Sequence, residues 1–142
     1  MTMEAIAYYD PGADITCQHT SGQVGGRCVG WPVARNVGGP SGPNDLGDGL
    51  LVVDNPTALG QVFGVTAHDV AAAGRVNIMR APKVVPIECS GNVAIGAYVA
   101  TGADGRIATA ATGNAAVGRA LSAGSSGTFA AVLLFGSPVA AP

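Results

Sequence analysis

The 142-residue chain is poor in charge and in aromatic rings. Asp, Glu, Lys and Arg make up 11% of it, against roughly 25% of an ordinary soluble domain. Aromatic residues make up 5%, with a single Trp. The Lys and Arg residues form no run; the densest basic stretch is Arg75, Arg80 and Lys83. Binding to bare nucleic acid needs a basic stripe that displaces counterions, or a platform of stacking rings. The chain offers neither, so nucleic acid is not an expected partner. No apolar run reaches the ~18 residues of a membrane-spanning helix, and no membrane partner is expected. The opening residues, Met1-Thr-Met-Glu-Ala5, lack the basic region and apolar run of a secretory signal. Synthesis in the cytoplasm is therefore expected. The cysteines, Cys17, Cys28 and Cys89, are odd in number and cannot make an even disulfide framework. They read as buried free thiols; a Cys17–Cys28 bridge across neighbouring strands is the alternative.

Turn formers are abundant instead. Gly and Pro together account for 31 of 142 residues, against roughly 12% in average usage. Many turns suit short strands better than long helices. Ile15–Gln18, Arg27–Trp31, Leu50–Asp54 and Gln61–Val65 read as strands. Thr66–Gly74 is Ala-rich and reads as a short helix or single turn, with Thr66 as its cap and Gly74 as its end. Arg75–Arg80 reads as a strand in which Val76, Ile78 and Arg80 alternate with Arg75, Asn77 and Met79. Lys83–Cys89 is extended, and Pro82 and Pro86 place it at a sheet edge. Val93–Ala100, Arg106–Ala111, Ala116–Ala123 and Thr128–Phe135 follow, separated by turns at Ala103-Asp-Gly105, Thr112-Gly-Asn114 and Ala123–Gly127. Gly118 favours a strand or bulge for the ambiguous third of these. Only one of Leu133 and Leu134 can face the core, because side chains alternate along a strand.

Strands at this spacing predict an all-β fold: a compact small β-sandwich or β-barrel with at most one or two short helical turns. Residues 1–14 form an extended lead-in and 15–136 a single domain. Residues 38–49 form an exposed Gly/Pro-rich loop, and 137–142 a flexible tail.

Few residues invite a chemical reading. Cys17 and His19, two apart on one strand, share a face, and a Cys–His pair can make a thiolate nucleophile. No orienting third group or oxyanion motif accompanies them, so a buried Cys17 with a surface His19 is the simpler expectation. Cys17, His19 and Cys28 lack metal-ligand spacing, and neither a calcium loop nor a phosphate-binding loop is present. No catalytic residue, metal or cofactor is expected. Tyr8, Tyr9 and Trp31 are the candidate interface residues, since Tyr and Trp anchor interfaces. Packing of the lead-in on its own domain, and Trp31 as a core or rim filler, are the alternatives.

From residue 60 onward the order of elements resembles the small capsid decoration (cement) proteins of tailed bacteriophages. These were long catalogued only as a conserved phage protein of unknown function. The matching pieces are Phe63-Gly-Val65, Asp69-Val-Ala-Ala-Ala-Gly74 and Val76-Asn-Ile78. The marks Gly96, Val99, Gly105, Thr109, Gly113, Gly118 and Ala120 follow, and then the closing strand Thr128–Phe135. Pro11–Thr16 resembles the family's opening. The likeness runs over about residues 11–135, with 38–49 departing from it as an insertion. It implies a non-enzymatic virion protein on the outer surface of an icosahedral head. Such a protein binds major capsid protein after the shell expands, often as a homotrimer, and braces the shell. Two other classes compete with this reading: a small β-sandwich ligand- or glycan-binding module, and a cysteine hydrolase built on Cys17 and His19.

Overall fold

The computed structural model describes residues 14–35 and 49–142. Its strands are β1 (Ile15–His19), β2 (Cys28–Val29), β3 (Ala34–Arg35), β4 (Leu51–Val53), β5 (Gly64–Thr66) and β6 (Gly74–Met79). They continue with β7 (Val84–Glu88), β8 (Tyr98–Thr101), β9 (Ile107–Thr109), β10 (Ala115–Ala120) and β11 (Phe129–Ala140). The all-β expectation holds, and no helix occurs among the described residues.

Two sheets divide the strands. The first has the order β2-β5-β6-β1-β4-β3 and the second β7-β11-β10-β8-β9. Among the named strands of the described residues, β1 and β4 are the pair that runs parallel, which their long intervening connection permits. The first sheet rolls on itself. Past the ends of β2 and β4, which are far apart in sheet order, the Gly30 N–H donates to the Asp54 carbonyl at 2.9 Å. The second sheet does the same. Ile107 of β9 bridges to Cys89, just beyond β7, and the Ser90 N–H donates to the Ile107 carbonyl at 2.8 Å.

Each roll holds its own core. Ile15, Cys17, Val29, Val53, Phe63, Val76 and Ile78 fill the first. The second gathers Val85, Ile87, Val99, Ile107, Val117, Val132 and Leu134, and takes in Cys28 and Val65 from the first sheet. Neighbouring strand residues point to opposite faces. The two residues of β2 therefore serve different cores: Val29 the first and Cys28 the second. Each fully buried Val or Ile contributes about 1.5–3 kcal/mol over its exposed state.

Several expectations differ from what is found. The Ala-rich segment after residue 66 takes the turn alternative, at residues 72–73, and not the helix. Thr66 ends β5 rather than capping a helix, and its hydroxyl donates to the Val24 carbonyl. Gly74 opens β6. Between them, Val70 forms a two-way backbone bridge with Gln23, and the Asp69 carboxylate accepts from the Gly25 N–H. Hydrogen bonds across the chain thus replace those a short helix would make. The strand expected from Val93 begins at Tyr98, because Gly96 turns the chain at φ +83°. Residues 137–142, expected as a flexible tail, extend β11 to Ala140 and pair Val139 and Ala140 with Ala116 and Ala115. Without them the first half of β10 would lack a partner on that side. Gly118 marks a register shift between β10 and β11. A Cβ there would lie 2.5 Å from a Val132 methyl and 2.6 Å from the Leu133 carbonyl oxygen, so only glycine lets the strands approach. The lead-in, Asp14 apart, and loop 38–49, Gly49 apart, lie outside the described residues.

Two predictions follow from this packing. Leu134 is 4% exposed and Leu133 is 37% exposed. Leu134→Asp should abolish folding, since an unpaired charge enters the second core. Leu133→Asp should stay folded, as circular dichroism and thermal melts would show. Gly105 and Gly113 both adopt φ above +80°. A Cβ on Gly105 meets the Cys28 carbonyl oxygen at 2.4 Å, whereas one on Gly113 meets nothing. Gly113→Ala should cost about 1–2 kcal/mol from the left-handed backbone alone. Gly105→Ala should cost a further 1–3 kcal/mol, roughly, from overpacking, measured by urea unfolding.

Candidate interaction surface

Cys17 and His19 lie in β1 and are both fully buried. The expected surface position of His19 is therefore corrected: it lies on an interior strand of the first sheet, between β6 and β4, with its side chain buried. Its Nδ1 accepts the Gly22 N–H at 3.0 Å, and an Asp54 carboxylate oxygen lies 4.0 Å from the same nitrogen. With Nδ1 as acceptor, the neutral ring carries its proton on Nε2, which has no hydrogen-bond partner among the described residues. Burial lowers the His19 pKa, against the opposing pull of Asp54. Burial also pushes the Cys17 thiol up to about 11. A thiolate–imidazolium pair needs the opposite shifts, so this environment does not activate the pair.

Cys28 does not face Cys17. Strands β5 and β6 lie between their strands, and the two thiols belong to different cores. All three cysteines are free and buried. Among the described residues no three His, Cys, Asp or Glu side chains converge as metal ligands.

The largest polar cluster sits where the two sheets meet. The Arg27 guanidinium reaches Glu88 at 2.7 Å, Arg106 reaches Asp104 at 2.6 Å, and Arg106 lies 3.9 Å from Glu88. Gln23 Nε2 donates to the Cys28 carbonyl at 2.8 Å and to Asn55 Oδ1 at 3.0 Å. Opposite charges balance here, and the cluster joins the sheets rather than presenting one sign to solvent.

The surface itself is apolar in two places. At the first, Trp31 is 48% exposed. Its ring meets Phe63 edge-on, with centroids 5.2 Å apart and planes at 68°. The Arg80 guanidinium lies 4.0 Å from the Phe63 ring centre and 5.6 Å from that of Trp31. Arg80 Nε donates to the Phe63 carbonyl at 3.0 Å, fixing the cation in place. Trp31 is thus a held ring at a rim, not a core filler. Of the candidate interface residues it alone is among those described; Tyr8 and Tyr9 lie outside them.

The second place is the outer face of the second sheet. Val84 pairs with Leu133, and Pro86 with Ala131. Val84, Leu133, Phe129 and Leu121 are exposed. Tyr98 and Phe135 pack at 6.0 Å, with Arg119 5.1 Å from the Tyr98 ring centre. Sequence reading located Trp31 but not this face. The alternation of Phe129, Ala131, Leu133 and Phe135 between buried neighbours carries the signal. It is obscured because both sides of β11 are apolar.

No family model matches the chain, and no curated protein does. Among solved structures, the chain is similar to the N base of the head fiber protein gp8.5 of bacteriophage phi29. The TM-score is 0.66 at 13% identity, over 89% of this chain and 97% of that one. The two share a fold across nearly the whole of the fiber base.

The buried imidazole gives a measurable signature. In the unfolded chain His19 takes up a proton near its ordinary value of 6.5, while the folded chain resists protonation. Stability should therefore be full above that value. It should fall as pH drops below it, then level off once the lowered folded value is passed. His19→Gln should flatten this segment of the profile, read from urea midpoints between about pH 5 and 8.

Proposed function

We propose that this protein is a structural component of a bacteriophage head. It sits on the outer surface of the shell, binds major capsid protein and stabilises the expanded shell as a homotrimer. The observation that carries this reading is the fold shared with the phi29 head fiber base over nearly all of that chain. Folds host many functions, so two further features matter. The ordered motifs of residues 60–135 resemble the phage decoration family, which is independent of the fold comparison. The chain also combines 11% charge with exposed apolar side chains on the second sheet. Charge depletion and apolar patches are marks of surfaces that become covered.

A shell-bound trimer gains strength from geometry. Three equivalent subunits on a three-fold position meet three equivalent sites together. Contacts that are weak singly then gain by effective concentration, by roughly 10²–10⁴. This role asks for a stable scaffold and two adhesive faces, and needs no reactive group.

Light scattering of the purified chain should give the mass of a trimer, or a monomer–trimer equilibrium. Co-sedimentation with expanded phage heads should saturate at a fixed ratio to capsid protein, with little binding to unexpanded shells. A strict monomer that never sediments with heads would refute the proposal. Leu133→Asp, which keeps the core intact, should weaken assembly or shell binding.

A further inference from the structure

We propose that the depression beside Trp31 is a saccharide-binding site that takes one pyranose ring. The site goes beyond the structural role and stands on separate observations. A sugar ring presents a C–H face that is apolar and an edge of hydroxyls that donate and accept. A site for it needs a held, accessible aromatic face next to short polar side chains. Trp31 supplies the first: it is half-exposed, yet braced by Phe63 and by Arg80. A rigid ring loses little conformational freedom on binding.

The same depression supplies the second requirement. Asn55, Thr57 and Gln61 line it together with Trp31, Gly30, Val33 and Pro56. The Asn55 Oδ1 accepts from Gln23 Nε2. That bond fixes the amide and directs its nitrogen, a donor, away from Gln23. Among the described residues the Asn55 nitrogen, the Thr57 hydroxyl and the Gln61 amide make no other side-chain hydrogen bond. The lining combines apolar surface with neutral donors and acceptors and holds no charged side chain, which matches a neutral sugar better than a charged ligand. The polar groups come from the connection after β4 and from the residues before β5. Both are anchored, by the Gly30–Asp54 and Phe63–Val29 backbone hydrogen bonds.

Trp31 is the sole tryptophan, so tryptophan emission, excited beyond the absorption of tyrosine, reads this site alone. The chain is titrated with methyl pyranosides of gluco, galacto and N-acetylglucosamino configuration. At least one should give a saturable spectral shift. Gln61→Ala, at an exposed position, and Asn55→Ala should each weaken that binding by about tenfold. Trp31→Ala should abolish it, read by saturation transfer to the sugar protons, with circular dichroism confirming the fold. Flat titrations with all three glycosides would overturn the proposal, as would a shift that both polar variants leave unchanged. Loss of shell binding in Trp31→Ala without any sugar response would assign the depression to a protein partner and likewise end it.

Discussion

Every β-sheet must dispose of its edges. An edge strand presents unpaired N–H and C=O groups that recruit other chains. Proteins commonly guard such edges with charged side chains, and this chain has few to spend there. The two sheets instead curl their flanks together, leaving only the two-residue β3 as an exposed edge of the first among the described residues. Gly30 meets Asp54 in one roll, and β9 meets the residues after β7 in the other. The rest of the molecule follows from these closures. Rolling creates two small interiors, filled mainly by Val, Ala, Ile and Cys, with Phe63 the one aromatic ring among the described core residues. The scarcity of large rings is thus matched to the radius of the rolls.

Joining two rolls is the second problem, and the solution is polar at its rim and apolar at its centre. Strand β2 contributes one side chain to each core, which links their packing directly. Around it, Arg27, Glu88, Asp104 and Arg106 pair with one another, and Gln23 Nε2 donates to the Cys28 carbonyl, while Gln23 Oε1 has no partner among the described residues. Gly105 lets the Cys28 backbone come close enough for its N–H to reach the Gly105 carbonyl at 2.8 Å. Partly buried ion pairs of this kind add specificity of docking more than net stability. They fix how the sheets sit together, and so set the directions in which the two apolar surfaces face.

Much of this was legible from residues alone, for definite reasons. Alternation showed the inward face of β6, with Val76 and Ile78 buried. Pro82 and Pro86 marked β7 as an edge, since proline cannot complete an interior ladder. Gly118 signalled the irregular pairing of β10. What escaped was non-local. Thr66–Gly74 has local helix propensity, but its backbone at Val70 is captured by Gln23 and its Asp69 carboxylate by the Gly25 N–H, both far earlier in the chain. His19 looks solvated by type, yet it lies inside because β4 pairs with β1 in parallel, and no local pattern announces a parallel partner. The antiparallel pairing of the C-terminal residues with β10 escaped because those small residues carry no alternating pattern. For the candidate site, Trp31 was visible as a lone ring. Its neighbours Asn55, Thr57 and Gln61 were not, because the roll of the sheet brings them beside it.

The three thiols lead in a different direction. All lie inside the cores, and burial raises the pKa of each. Oxidants and alkylating agents act on the thiolate, and they need access to it. In the closed fold both conditions fail at once, so chemical attack must wait for the chain to open. Cys17 would report the opening of one roll, and Cys28 and Cys89 that of the other. The molecule thus carries its own record of exposure: the pattern of modified sulfurs would tell which half came apart, and in what order.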